Sequence, residues 1–161
     1  MRLRLPYYHQ INDYSCGPAV VQMILKYYGL TKSQRSLIRL VGTNERVGTT
    51  RKKLILGFKK FSLETKVVFS ADFTAVKEFL KNKIPVIVSY CELDSDQEHY
   101  AIVTGLTKKD VIFQDPWLGS QYRLDRRNFM LRWHNQKKNG KFNGWLLAAG
   151  RWPAEKTQCP R

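Results

Sequence analysis

Hydrophobic residues make up 43% and charged residues 25% of this 161-residue chain, which is a globular balance and excludes a wholly disordered chain. No apolar run is long enough to span a membrane, and residues 1–6 lead into no apolar signal-peptide stretch, so a cytoplasmic protein is expected. The formal net charge of +15 permits weak contact with polyanions, but no homeodomain, zinc-finger, RRM or helix-turn-helix pattern accompanies it.

The first part of the chain is predicted to be helical. An amphipathic run with apolar residues at three- and four-residue spacing follows Cys16 and ends at Gly29. Asp13 or Ser15 is the expected N-cap of this helix. Two further helices are predicted over residues 33–40 and from residue 48 onward.

The rest of the chain is predicted to consist mainly of strands, and no internal repeat or linker divides it. The two strands 100–106 and 110–114 are separated by a short polar turn and are expected to pair as an antiparallel hairpin. Helices followed by an antiparallel sheet indicate an α+β fold, with one domain over residues 1–154 and a frayed tail over 155–161. The remaining predictions are strands over 64–69, 84–91, 121–124 and 144–151, helices over 71–83 and 125–133, and a loop over 135–143.

The segment before the first helix has the features of a reactive thiol site. The chain has three cysteines, an odd number, without a C-x-x-C pair, which matches neither a disulfide framework nor a zinc site. Cys16 stands where a loop becomes a helix, and backbone N–H groups and the positive end of the helix dipole favour a thiolate there. Gln10, six residues upstream, is placed to donate a hydrogen bond to an oxyanion beside that sulfur.

A histidine and an aspartate occupy the ends of the predicted hairpin. His99 opens the first strand and Asp115 ends the second, so pairing across the turn puts the partner of His99 at about position 115 or 116. The carboxylate would then accept the Nδ1 proton and direct the other ring nitrogen toward Cys16. Each residue also has a simpler interpretation, because Asp-Pro commonly starts a turn and a lone histidine is more often structural.

The order of these motifs resembles the C39-like branch of papain-fold cysteine peptidases, and the match covers nearly the whole chain. It rests on Gln10, on Cys-Gly-Pro opening a helix, on His-Tyr opening a strand and on Asp-Pro ending the next strand. The resemblance implies that Cys16 is the nucleophile, His99 the general base and acid, Asp115 the orienting carboxylate, and Gln10 an oxyanion donor. The best-known members are peptidase domains that bacteriocin-exporting ABC transporters use to remove double-glycine leader peptides.

The resemblance implies a papain-like fold and hydrolysis of a peptide or protein substrate through a thioester, without a metal or organic cofactor. The aromatic residues Tyr14, Tyr100 and Trp117 flank the candidate residues and are candidates for lining the cleft, although they could equally be packed at the sheet rim. The membrane domain and ATPase of the transporters have no counterpart in this sequence, and no motif identifies the substrate. Two alternatives are an acyl or peptidyl transferase using the same residues, and a non-catalytic basic module that binds nucleic acid or an anionic membrane.

Overall fold

A computed structural model describes residues 2–92, 97–134 and 144–152 of the chain. Five helices and six strands are assigned within these ranges. The helices are α1 (Cys16–Tyr27), α2 (Gln34–Leu40), α3 (Arg51–Lys59), α4 (Phe73–Lys81) and α5 (Arg126–Trp133). The strands are β1 (Glu64–Val68), β2 (Val86–Cys91), β3 (Glu98–Leu106), β4 (Asp110–Asp115), β5 (Gly119–Asp125) and β6 (Leu146–Gly150).

The six strands form one sheet in the order β1-β6-β2-β3-β4-β5, and every neighbouring pair is antiparallel. The predicted α+β class, with helices first and an antiparallel sheet second, is therefore confirmed. The single domain over residues 1–154 stays a prediction. The loop over 135–143 and the tail over 155–161 lie outside the described residues.

Helix α1 is the central helix of the fold. Eight of its twelve residues are buried, and it packs against α2, α3 and β3. Gly17 permits this close packing because a Cβ there would lie 2.3 Å from the Thr49 hydroxyl oxygen. The Thr49 hydroxyl is itself held 2.6 Å from that of Thr43. The start of α1 therefore packs closely against the loop that precedes α3.

The segment before α1 is attached to the hairpin of β3 and β4. Leu3 N–H donates to the carbonyl of Thr104 over 2.7 Å, and the Gln114 side chain donates to the carbonyl of Leu5 over 2.8 Å. Gln10 N–H donates to the carbonyl of Pro116 over 3.0 Å. These bonds fix the approach to Cys16 relative to the residues that end β4.

The hairpin register differs from the sequence-based expectation. Its last pairs are Val103 with Phe113 and Ile102 with Gln114, and an irregularity falls between Val103 and Gly105. Continuing that register would place His99 opposite position 117, so the expected partner at 115 or 116 was wrong by one or two residues. The shift begins at the turn, where Leu106 pairs with Val111. That pairing alone would put His99 opposite position 118, and the extra residue of β3 at the irregularity brings it back by one.

In the described ranges, no helix combines the length and the apolar character needed to cross a membrane.

Candidate active site

Cys16 is the first residue of α1 and is half-buried. Its loop is held by the buried Gln34, whose Oε1 accepts from the N–H of Ile11 over 2.8 Å and from the hydroxyl of Ser15 over 3.2 Å. Ser15 occupies the N-cap position, as one of the two expected residues, but its side chain makes no cap hydrogen bond. The Ser15 hydroxyl is used instead to fasten the loop to α2.

His99 lies at the start of β3, and Asp115 ends β4. His99 Nε2 is 2.9 Å from Asp115 Oδ1, and both residues are buried. The expected pairing through Nδ1 was wrong: the more distal ring nitrogen reaches the carboxylate on the neighbouring strand. His99 also hydrogen-bonds with Cys16. Because Nε2 is engaged by Asp115, Nδ1 is the nitrogen that faces the sulfur.

Asp115 is completely buried and is held by four hydrogen bonds. Its Oδ1 accepts from His99 and from the backbone N–H groups of Trp117 and Leu118, each over 2.9 Å. Its Oδ2 accepts from the Tyr90 hydroxyl over 2.7 Å. This satisfied carboxylate fixes the orientation of the imidazole. The role of Tyr90 could not be read from the sequence, since it depends on which strand lies beside β3.

The electrostatics favour a charged pair at His99 and Asp115. Burial opposes protonation of His99, but the hydrogen bonds and charges of Asp115 and Cys16 outweigh it and raise the pKa of His99 to about 10. Burial likewise opposes ionisation of Asp115, yet His99, the N–H of Leu118 and the hydroxyl of Tyr90 lower its pKa below the ordinary value. At neutral pH this describes an imidazolium beside a carboxylate.

Gln10 is buried in the loop before α1. Its Nε2 donates to the carbonyl of Asn12 over 2.7 Å, and its Oε1 has no hydrogen-bond partner within the described part of the chain. An amide nitrogen carries two hydrogens, so one N–H remains after the bond to Asn12. The bond to Asn12 also fixes which end of the amide is the donor, because the reversed amide would oppose two oxygens.

A pocket of about 370 Å³ surrounds Cys16 and His99. Tyr14 and Tyr100 line it, and the Tyr100 hydroxyl donates to the carbonyl of Thr49 over 3.0 Å. Trp117 is absent from the described lining. Its ring stacks on that of His9 at a centroid separation of 5.7 Å. A role for Trp117 in substrate binding stays a prediction.

Glu92, which the sequence did not single out, also lines this pocket. Its Oε1 lies 3.2 Å from His99 Nδ1, so the ring stands between two carboxylates. No spacing rule in the sequence points to Glu92, because its relation to His99 follows from the pairing of β2 with β3.

Within the described residues, no group of three or more His, Cys, Asp or Glu side chains is arranged to hold a metal ion.

These residues have the elements of nucleophilic catalysis: a thiol at a helix start, a basic ring beside it and a buried carboxylate behind the ring. Residues 4–137 match the family model described as the Peptidase C39 family. The chain belongs to the Peptidase C39 family. The resemblance drawn from the sequence motifs is thereby confirmed.

Relatives of this C39 family member include parts of transporters. It is 33% identical over 111 residues to the lactococcin-A transport/processing ATP-binding protein LcnC of Lactococcus lactis subsp. lactis, covering 68% of this chain and 15% of LcnC. The chain thus matches only a small part of that relative. An uncharacterized protein of Methanothermobacter thermautotrophicus is 32% identical over 110 residues, with 68% of this chain and 70% of the relative covered.

The fold of this family member also matches solved peptidase domains. The peptidase domain of Streptococcus ComA, a bifunctional ABC transporter, superposes with a TM-score of 0.72 and 27% identity, covering 92% of this chain and 98% of the domain. A double glycine motif protease from an AMS/PCAT transporter, in complex with its leader peptide, gives a TM-score of 0.71 at 18% identity and 94% coverage of both chains. Family and fold identify this chain as a cysteine peptidase, a hydrolase.

Proposed function

We propose that the protein hydrolyses a peptide or protein substrate with Cys16 as nucleophile, His99 as general base and acid, and Asp115 as the carboxylate that orients His99. The observation that carries the proposal is the contact series from Cys16 through His99 to Asp115, in which His99 hydrogen-bonds with Cys16 and its Nε2 lies 2.9 Å from Asp115 Oδ1. All three residues were expected from the order of the sequence motifs. Burial of His99 and Asp115 strengthens their interaction because water is excluded from it.

In the proposed reaction, the Cys16 thiolate attacks the scissile carbonyl carbon and forms a tetrahedral oxyanion. The remaining N–H of Gln10 and the backbone N–H of Cys16 donate to that oxyanion. His99 Nδ1 gives its proton to the leaving amine as the C–N bond breaks, which leaves a thioester on Cys16. The neutral ring then takes a proton from water, the resulting hydroxide attacks the thioester, and collapse releases the acid product and restores the Cys16 thiolate beside the protonated ring. Asp115 stays ionised throughout.

The substrate class follows from the relatives, not from a motif in this chain. LcnC is named as a transport/processing protein, and one structural neighbour holds a leader peptide. A peptide substrate is therefore the proposal with the most support, and peptides with two glycines before the scissile bond belong in any screen.

The experiment is hydrolysis of a peptide pool that includes such double-glycine sequences, measured by mass spectrometry with wild type and with Cys16→Ala. Cleavage by wild type and a loss of roughly 10³-fold or more in Cys16→Ala is expected, since removing a nucleophile removes the covalent route. Cys91→Ala is the matched control, because Cys91 is a buried cysteine outside the described pocket lining. Equal cleavage by wild type and Cys16→Ala would contradict the proposal.

The same assay separates hydrolysis from acyl transfer. With an added primary amine, a hydrolase gives the free carboxylic acid as its main product, and a transferase gives the amide of the added amine. Both require the Cys16 thioester, so the product, and not the Cys16→Ala variant, decides between them.

A further inference from the structure

Glu92 holds a carboxylate at the catalytic face of His99. Its Oε1 is 3.2 Å from His99 Nδ1, the nitrogen that also faces Cys16. The backbone around Glu92 is fixed, since its N–H donates to the carbonyl of Gln97 over 3.2 Å and its carbonyl accepts from Arg132 over 2.7 Å. The side chain itself is 30% exposed and opens into the pocket. A substrate in the pocket therefore meets this carboxylate.

The pocket differs in charge from the rest of the molecule. Among the described residues its lining has four acidic side chains, against Arg46 and the protonated ring of His99, in a chain of net charge +15. Glu98 is partly neutralised by Arg51, whose guanidinium lies 3.7 Å from it. The acidic lining also includes Asp13, Glu45 and Glu92, and Glu92 lies 3.2 Å from His99 Nδ1. A cleft with an excess of one sign of charge attracts the opposite charge.

We propose that Glu92 makes the enzyme selective for substrates with a lysine or arginine immediately after the scissile bond. This inference rests on the proposed function, because it uses the direction of proton transfer in that reaction. His99 Nδ1 gives its proton to the leaving amine, so a group within 3.2 Å of Nδ1 lies on the leaving-group side of the bond. The first side chain on that side belongs to the residue that carries the amine.

Because Glu92 contacts His99, binding of a substrate cation by Glu92 also affects proton transfer by His99. A cationic substrate side chain competes with His99 for the Glu92 carboxylate. When Glu92 turns to the substrate, Nδ1–H is left to the Cys16 sulfur and the leaving amine. A neutral or acidic substrate side chain does not draw Glu92 away from His99, so Glu92 keeps its contact with His99 Nδ1. Glu92 is accordingly a specificity-determining and positioning residue.

Charge recognition at Cys16 can be measured without turnover by two methanethiosulfonates, one carrying a trimethylammonium group and the other a sulfonate. Each forms a disulfide with Cys16 and releases methanesulfinate, and mass spectrometry follows the Cys16 peptide. We expect the ratio of cationic to anionic rates to fall roughly tenfold in Glu92→Gln, the size of a local steering effect. Glu92→Lys is expected to lower the ratio further. Glu64→Gln, an exposed change on β1 outside the pocket lining, makes the same change in net charge and should leave the ratio unaltered.

The second measurement uses three peptide substrates that differ only in the residue immediately after the scissile bond, which is lysine, norleucine or glutamate. Wild type should prefer lysine in kcat/KM, and Glu92→Gln should lose that preference while still cleaving the norleucine peptide. A lysine preference that persists in Glu92→Gln, or a thiosulfonate ratio that Glu92→Gln leaves unchanged, overturns the inference even if cleavage depends on Cys16. Cleavage that is independent of Cys16 overturns the proposed function, whereas the thiosulfonate ratio still reports on Glu92.

Discussion

His99 is the residue through which the other groups of the candidate site act. Its Nε2 meets Asp115, and its Nδ1 meets both Cys16 and Glu92. Only a protonated ring can donate from both nitrogens, which is the state that the raised pKa of about 10 describes. Asp115 and Cys16 therefore set the protonation state of His99, and Asp115 also fixes its position.

The alkaline limb of activity should depend on Asp115. The hydrogen bond and charge of Asp115 raise the pKa of His99, so Asp115→Asn should lower it and move the alkaline limb of kcat/KM to lower pH. The measurement is the pH profile of peptide cleavage for both proteins. Asp110→Asn is the control, since Asp110 pairs with Arg123 away from the pocket lining. An alkaline limb at the same pH in wild type and Asp115→Asn would contradict this account.

Tyr90 is expected to contribute to stability through Asp115. Tyr90→Phe removes the donor 2.7 Å from Asp115 Oδ2 and leaves that buried oxygen unpaired, so the free energy of unfolding should fall by about 1–3 kcal/mol. Urea unfolding measures the change. Tyr27→Phe is the matched control, because the Tyr27 hydroxyl bonds the carbonyl of Lys83 at an exposed position. Equal losses in the two variants would show that the buried carboxylate is not the cause.

The sequence pointed to Cys16, His99 and Asp115 because their roles depend on where elements begin and end. The first residue of a helix and the ends of a hairpin are visible as patterns. Which ring nitrogen meets Asp115, and the contacts of Tyr90 and Glu92, depend on side-chain directions across neighbouring strands. No spacing along the chain contains that information.

At the scale of elements, the site depends on contacts between parts of the chain that are distant in sequence. The start of α1 packs against the loop before α3. The loop before α1 is hydrogen-bonded to α2 through Gln34 and to the residue that follows β4 through Gln10. The sequence predicted most of the elements to within a few residues. It missed the register of the hairpin, since the pairing of Leu106 with Val111 across the turn follows from no spacing in the sequence.

Gly17→Ala tests how closely α1 must approach the loop before α3. The new Cβ would lie 2.3 Å from the Thr49 hydroxyl oxygen and 2.5 Å from its Cβ, so the helix or the loop must shift. A loss of about 1–3 kcal/mol in the free energy of unfolding is expected, as for other overpacked sites. Adding Thr49→Gly to Gly17→Ala removes both contacts and should make the loss smaller than the sum of the two single changes. Strict additivity of the two changes in urea unfolding would contradict the close approach.

On the scale of the whole molecule, the described pocket lining is mainly acidic although the chain as a whole is basic. The chain carries +15, whereas the pocket lining is mainly acidic and its one described histidine is held between carboxylates. The basic surface remains a candidate for weak contact with polyanions. Such contact would weaken steeply with salt and would not require Cys16. Polyanion binding by the surface and catalysis at the site can therefore be told apart, because only the first should weaken steeply with salt and only the second should require Cys16.

The raised pKa of His99 links the site to the stability of the whole chain. The folded protein holds this proton up to a pH of about 10, whereas an unfolded histidine releases it near its ordinary value of 6.5. The stabilisation is thus complete below about pH 6.5 and is lost as pH rises toward 10, at up to roughly 1.4 kcal/mol per pH unit. Urea unfolding of wild type and His99→Gln across this range measures the effect of His99 together with its coupling to Cys16 and Asp115. A difference between the two proteins that stays constant with pH would mean that His99 is neutral in the folded state.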